Sequence, residues 1–187
     1  MTFCETTLSV AFVILSGVEE SRCDTFKLPR RDFSTSLEMT RVLVIADTHN
    51  KLPPIICELA RGADEIWHLG DVCAERILDE LQFLGPPVTV VRGNCDSNYE
   101  WPLVCDLTRN GIRFRLQHIS PAPKQAPVDC DVLLHAHTHV PRDETISGVR
   151  FLNPGCVTRP NRGAPPSVAW LETDDDGKLT WELKSLR

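Results

Sequence analysis

Along this chain apolar residues come in short blocks closed by small or polar ones, and the spacing inside each block predicts its element. Arg41-Val-Leu-Val-Ile-Ala46 is a β-branched run of the kind that forms a strand buried on both faces. Ile66-Trp-His-Leu69, Val88-Thr-Val-Val91, Ile112-Arg-Phe-Arg-Leu116 and Val132-Leu-Leu134 read as further strands. Residues 53–61 and 74–84 instead carry apolar side chains at helical spacing, which predicts two helices covering the sheet. Residues 103–109 and 112–116 flank Asn110-Gly111, the strongest short signal for a hairpin. Residues 144–153 bend at Gly148, and 168–173 are expected to pair with 179–183 across Asp174-Asp-Asp-Gly177. No internal repeat appears.

The ends of these runs carry the chemistry. The strand at 41–46 breaks into Asp47-Thr48-His49, the second ends in Gly70-Asp71 and the third in Gly93-Asn94-Cys95-Asp96. His118 closes the fourth, and His137-Thr138-His139 follows the fifth. Ligands of open α/β sheets bind beyond the carboxyl ends of strands, so groups at five strand ends can face one site. Two carboxylates (Asp47, Asp71), one amide oxygen (Asn94) and four imidazoles (His49, His118, His137, His139) make a mixed oxygen and nitrogen set. That set is too rich in nitrogen for calcium or an all-oxygen magnesium cage, and it suits manganese, iron, zinc or cobalt. Seven groups exceed what one tetrahedral ion takes, whereas two ions sharing a carboxylate would use them all, with Asp71 as the candidate bridge. Singly, each motif equally fits a turn or a helix cap, and the ordered set carries the argument.

In this order, Asp-x-His, Gly-Asp, Gly-Asn-x-Asp, a single His and His-x-His resemble the calcineurin-like metallophosphoesterase superfamily. Gly93-Asn94-Cys95-Asp96 and Asn153-Pro154-Gly155 are similar to its small prokaryotic phosphodiesterase branch. The resemblance spans residues 41–162 and implies an α/β fold, a four-layer αββα sandwich of two mixed β-sheets packed face to face and flanked by helices. It implies two divalent metal ions per chain, one held by Asp47, His49, Asp71 and His139, the other by Asp71, Asn94, His118 and His137. Manganese is the expected ion, with iron, zinc, nickel, cobalt and magnesium as alternatives. The implied catalytic set is Asn94, Asp96 and His118, Asp96 by orienting its own loop. Asn94 and Cys95 would face the substrate, and the Asn153 segment would help form the rim. The activity implied is hydrolysis of a small-molecule phosphodiester or phosphomonoester, small or aryl phosphodiesters favoured, a hydroxide shared by the ions attacking phosphorus in line. The alternative, from another class, is a non-catalytic scaffold that keeps the fold and binds protein partners; retention of all seven ligand positions favours the enzyme.

Departures from the family pattern refine these expectations. Ala136 and Ile119 stand where glycines are usual, so a backbone needing positive φ there would be distorted. Asn50 also replaces a frequent glycine, but Asn tolerates that conformation. Residues 119–127 contain three prolines and are expected to lack a regular helix, loosening one wall of the cleft. Cys95 stands where many relatives have a leaving-group His, and a thiol with an ordinary pKa near ~8.5 is a poorly matched general acid at neutrality. Good leaving groups are therefore expected; a nucleophilic Cys95 is the disfavoured alternative. His68, inside its strand, reads as a core residue, and His135 is also assigned a structural role.

Composition changes little. The 187 residues, 42% hydrophobic and 25% charged, suit one soluble domain with a sizeable core. A net charge of −6 argues against a broad nucleic-acid surface. The eight cysteines show no CxxC or regular spacing and read as reduced thiols of a cytoplasmic protein. Arg92, Arg142, Arg159 and Arg162 lie close to site motifs and are candidates for phosphate contact, otherwise solvated charges. Residues 1–40 stand apart as an N-terminal extension to a domain at 41–187. Their apolar run at 8–15 lacks a basic flank and is too short to cross a bilayer. Met39 is a natural start for the fold, and residues 23–40 resemble a translated intergenic repeat, so a start assigned too far upstream is preferred over a regulatory arm. Trp101-Pro-Leu-Val104 hints at an apolar face for a homo-oligomer.

Overall fold

The computed structural model describes residues 39–122, 125 and 129–186, all in one compact unit. The expectations for residues 1–38 lie outside the described residues, as does part of the proline-rich segment at 119–127. Among the described residues ten strands form two five-stranded mixed sheets. The first is ordered β10–β9–β1–β2–β3, with β1 at Thr40–Ile45, β2 at Glu65–His68, β3 at Val88–Val90, β9 at Ser167–Thr173 and β10 at Leu179–Ser185. The second is ordered β4–β5–β6–β8–β7, with β4 at Val104–Arg109, β5 at Ile112–Gln117, β6 at Val132–Leu134, β7 at Arg142–Ile146 and β8 at Val149–Asn153.

The run at 41–46 is buried on both faces because its two side-chain sets meet different layers. Val42 and Val44 join Trp67, Leu69 and Val91 between the sheets, where they meet Phe114, Leu116, Val132 and Leu134. Trp67 and Phe114 meet edge to face, 5.2 Å between centroids, across that layer. Leu43 and Ile45 point the other way, onto Ile56 and Ala60 of α1 (Pro54–Ala60) and Ile77, Leu78 and Leu81 of α2 (Arg76–Phe83). Pro54 opens α1, where its missing N–H costs nothing. Neither described helix is long and apolar enough to cross a membrane.

Both hairpins turn where the sequence bends. Asn110 and Gly111 hold φ of 48° and 77°, and Ser147 and Gly148 hold 52° and 85°, the paired left-handed residues of a tight hairpin turn. Trp101 corrects one expectation: it is partly buried against the core that both helices share with the first sheet, while Leu103 and Val104 remain exposed.

Within the first sheet β1, β2 and β3 run parallel; within the second β5, β6 and β8 do. The loops after these strands therefore leave at the carboxyl edge of each sheet. The two edges meet directly, since His118 after β5 bonds the Leu69 carbonyl after β2 at 2.8 Å.

Candidate metal centre

Asp47 and His49 follow β1, Asp71 follows β2, Asn94 follows β3, His118 follows β5, and His137 and His139 follow β6. The β1 loop runs beside the β2 loop like an extension of the sheet: Asp47 N–H donates to Gly70 O at 3.1 Å, His49 N–H to Asp71 O at 3.0 Å. Five of the seven residues, Asp47, His49, Asp71, His137 and His139, have φ between 43° and 67°. That left-handed region costs an L side chain about 1–3 kcal/mol, and it is met where a site imposes it. Ala136 and Ile119 are not among the left-handed residues, and the Ala136 methyl packs into the inter-sheet core. The missing glycines therefore distort nothing there.

One group forms around Asp47. His139 Nε2 lies 3.4 Å from Asp47 Oδ1 and 3.4 Å from His49 Nε2. The Nδ1–H of His139 donates to the Arg159 carbonyl at 2.5 Å, which turns its Nε2 lone pair toward that space. Ligand atoms of Asp47, His49 and Asp71 all lie within 4.8 Å of one another. A second group forms around His118. Its Nδ1–H is spent on Leu69, so Nε2 faces Asn94 Oδ1 at 3.1 Å and Asp71 Oδ1 at 3.4 Å. The His137 ring lies 5.3 Å from the His118 ring. Asp71 touches both groups. Its carboxylate accepts the Cys95 N–H at 2.8 Å, and α2 begins only at Arg76, so Asp71 does not cap that helix.

The donor set fits divalent cations. Asp47 is fully buried, and neither carboxylate oxygen has a hydrogen-bond partner. Burial pushes its pKa up to about 7, only partly offset by His118 and His139. Around Asp71 burial also works against the charge, but His118 and the Cys95 amide outweigh it and hold the carboxyl well below the usual range. Burial would lower His118, yet the Asp71 hydrogen bond and the Leu69 carbonyl raise it above an ordinary imidazole. Orphaned carboxylate oxygens and imidazole lone pairs turned inward are a demand for positive charge that protein groups do not meet.

Asp96, expected to orient its own loop, holds a second loop as well. Its carboxylate accepts N–H groups from Asp71 at 2.9 Å, Cys73 at 2.7 Å and Gly93 at 2.7 Å. Both oxygens are committed to backbone, so Asp96 is a positioning residue that ties the β2 loop to the β3 loop. Asn153 departs from its expected place: fully buried, it donates to the Ala136 carbonyl at 3.1 Å and braces the His137 loop from behind, and it forms no rim. Further supports had no motif to mark them. Thr158 Oγ1 donates to Asp47 O at 3.0 Å, and Cys73 Sγ lies 3.6 Å from His49 Nδ1. The described cysteines are all free.

Gly93 lies against Asp71. A Cβ there would sit 2.1 Å from Asp71 Oδ1 and 2.3 Å from Asp71 N. Gly93→Ala is expected to cost about 1–3 kcal/mol, the penalty of overpacking, and to weaken metal binding because one of the displaced atoms, Asp71 Oδ1, is a candidate ligand atom. Thermal melting beside a metal titration checks this; a wild-type titration in the variant would show that the loop relaxes freely.

His68 is a buried imidazole that serves the frame. Gly70 N–H donates to its Nδ1 at 3.2 Å, so Nε2 carries the proton and donates to Thr48 Oγ1 at 3.0 Å. Burial, and then the His118 charge, push its pKa down to about 3. An unfolded His68 takes up its proton near pH ~6.5, so below that pH the unfolded chain binds the extra proton and stability is lost as pH falls. In metal-free protein, His68→Gln is expected to narrow the gap between melting temperatures at pH 7.5 and pH 5. An unchanged gap would assign it to other groups.

Residues 40–176 match the calcineurin-like phosphoesterase superfamily domain. The chain is 33% identical over 156 residues to a Methanothermobacter thermautotrophicus protein named "Probable metallophosphoesterase", covering 75% of this chain and 89% of that one. It is 28% identical over 164 residues to the phosphodiesterase YfcE of Escherichia coli, covering 73% and 89%. Among solved structures, vacuolar protein sorting 29 from Cryptosporidium parvum superposes with a TM-score of 0.64 at 24% identity, covering 80% of this chain and 98% of that one. With the family domain matching most of its length, this chain belongs to the calcineurin-like phosphoesterase superfamily.

Proposed function

We propose that the chain is a dinuclear-metal-dependent phosphodiesterase acting on small phosphodiesters. The observation that carries this reading is the buried Asp47 carboxylate, unpartnered at both oxygens beside imidazoles turned inward. Asp47, His49, Asp71 and His139 would hold one ion, and Asp71, Asn94, His118 and His137 the other, manganese being the ion expected. Bound there, divalent ions supply an activated water and offset the charge that develops on the phosphoryl oxygens.

The chain's own groups do the rest. His118 and His139 are fixed in one tautomer by the Leu69 and Arg159 carbonyls, so their donor atoms need no reorganisation. Asn94 is exposed, its Oδ1 on His118 and its Nδ2 on Cys95 Sγ at 3.4 Å, within reach of a phosphate oxygen at the mouth. Burial, then Asp71, raise the Cys95 thiol, so it stays protonated at neutral pH and does not act as a nucleophile. A weakly acidic donor favours substrates whose leaving groups depart without much protonation, aryl phosphodiesters above all.

The test is turnover of bis(p-nitrophenyl) phosphate with manganese, abolished by chelator. Absence of turnover with every divalent ion at saturation would reject the enzyme. The likeness to vacuolar protein sorting 29 supports a second reading, a protein-binding scaffold. Calorimetry separates the two, because a scaffold without tight metal binding would leave the Asp47 site without its counter-charge.

A further inference from the structure

A cavity of about 370 Å³ opens beside Asn94 and His118, large enough for a small organic group. Among the described residues few large hydrophobic side chains are exposed, yet four of them, Tyr99, Leu103, Val104 and Ile119, line this one cavity. Exposed apolar residues scattered singly are ordinary, whereas a cluster at the mouth of a site marks binding. The Arg92 guanidinium lies 4.6 Å over the Tyr99 ring, and no ion pair to Arg92 is formed among the described residues.

We infer that this cavity is a subsite for a planar aromatic group carried by the phosphoester, an aryl or nucleobase ring, held by Tyr99 and Arg92 with Leu103 and Ile119 as apolar wall. A flat guanidinium on a phenol ring is a cationic, polarisable platform that stacks well against another ring. An alkyl chain gains nothing from that cation, and a bare anion leaves the apolar wall unused. The platform is also held in place. Asn98 Nδ2 donates to Glu75 Oε1 at 2.8 Å and the Glu100 N–H to Asn98 Oδ1 at 2.9 Å, which fixes the turn carrying Tyr99. Arg92 N–H donates to Pro102 O at 2.8 Å, tying the guanidinium's own strand end to the segment that presents Leu103. Gln117 Nε2 donates to Ile119 O at 2.5 Å. A site fixed before binding loses little entropy on ordering its ligand.

Tyr99 is the one tyrosine of the chain, so protein labelled on tyrosine gives a single reporter resonance. In zinc buffer its ring signal is expected to move saturably with phenylphosphonate and at least ~5-fold less with methylphosphonate, since only an aromatic ring shifts a stacked neighbour strongly. Equal responses, or none, overturn the subsite. So does a Tyr99 signal that moves on dilution of the protein alone, which would place a second copy over the cavity.

The kinetic arm rests on the phosphodiesterase reading and compares the phenyl and thymidine 5′-esters of p-nitrophenyl phosphate with a methyl ester that carries no ring, methyl 2,2-dichlorovinyl phosphate, whose enol leaving group also departs readily. Tyr99→Ser and Leu103→Ser alter exposed side chains that the fold tolerates. Each is expected to lower kcat/KM for an aromatic ester relative to the methyl ester by about tenfold, the usual scale of one lost stacking contact for Tyr99 and of one lost apolar pocket contact for Leu103. The larger loss, phenyl or thymidine, identifies the source of the ring. Turnover with unchanged ratios rejects the subsite and leaves the reaction standing. No turnover of any ester, with the Tyr99 shift intact, rejects the reaction and leaves the subsite standing.

Discussion

Asp71→Asn is expected to abolish phosphodiester turnover while leaving the fold in place. The substitution is nearly silent sterically: Asn tolerates the φ of 55° that Asp71 adopts, and its oxygen can still accept the Cys95 N–H. What it removes is the charge placed between the Asp47 group and the His118 group, with His118 Nε2 3.4 Å away. Removing an outer-shell partner of a metal ligand costs ~10–100-fold in affinity or activity, and loss of a charged donor serving both groups should exceed that. Metal content per chain is expected to fall from two to one or none, while the metal-free protein stays folded and melts somewhat lower, because the His118 and Cys95 bonds favour the charged carboxylate. His118→Ala should act on one side only and be partly restored by high metal. If Asp71→Asn retained full metal content and activity, the bridge would be rejected.

Strand and helix positions were legible because burial writes itself into period. The β1 run is apolar on both faces since one set meets the opposing sheet and the other meets α1 and α2. Observed boundaries moved by a residue or two, as frayed ends do. That the candidate ligands would converge was legible for a related reason: each closes an apolar run, and parallel strands deliver their ends to one edge.

The scaffolding behind them was not legible. It is built from contacts between loops far apart in sequence, such as Asp96 with Asp71 and Asn153 with Ala136. The left-handed backbone at Asp47, His49, Asp71, His137 and His139 was equally hidden, because glycine, its usual marker, is absent from these positions. Trp101 misled for the complementary reason. Its run looks like an exposed apolar face, but Trp101 packs against the core, whereas Leu103 and Val104 line the cavity beside Asn94.

Asp96→Ala is expected to destabilise the protein more than any other change near the centre. Asp96 is buried, and three backbone N–H groups, from Asp71, Cys73 and Gly93, end on its carboxylate at 2.7 to 2.9 Å. Each buried donor left without a partner costs about 1–3 kcal/mol. Water entering the vacated space recovers part of that, so a net loss of about 3–5 kcal/mol is expected, a large share of the ~5–15 kcal/mol that holds a typical domain together. The melting temperature should fall by about 10 °C for a domain of this size. Asp96→Asn separates the positioning role from a chemical one. It keeps one acceptor oxygen but places an NH2 against an N–H, so its stability should fall between wild type and Asp96→Ala, with metal affinity falling in the same order as the Asp71 loop loosens. A group acting on substrate would behave otherwise: Asp96→Asn would melt like wild type, hold its metals with unchanged affinity and lose kcat alone. That combination would return Asp96 to the catalytic set.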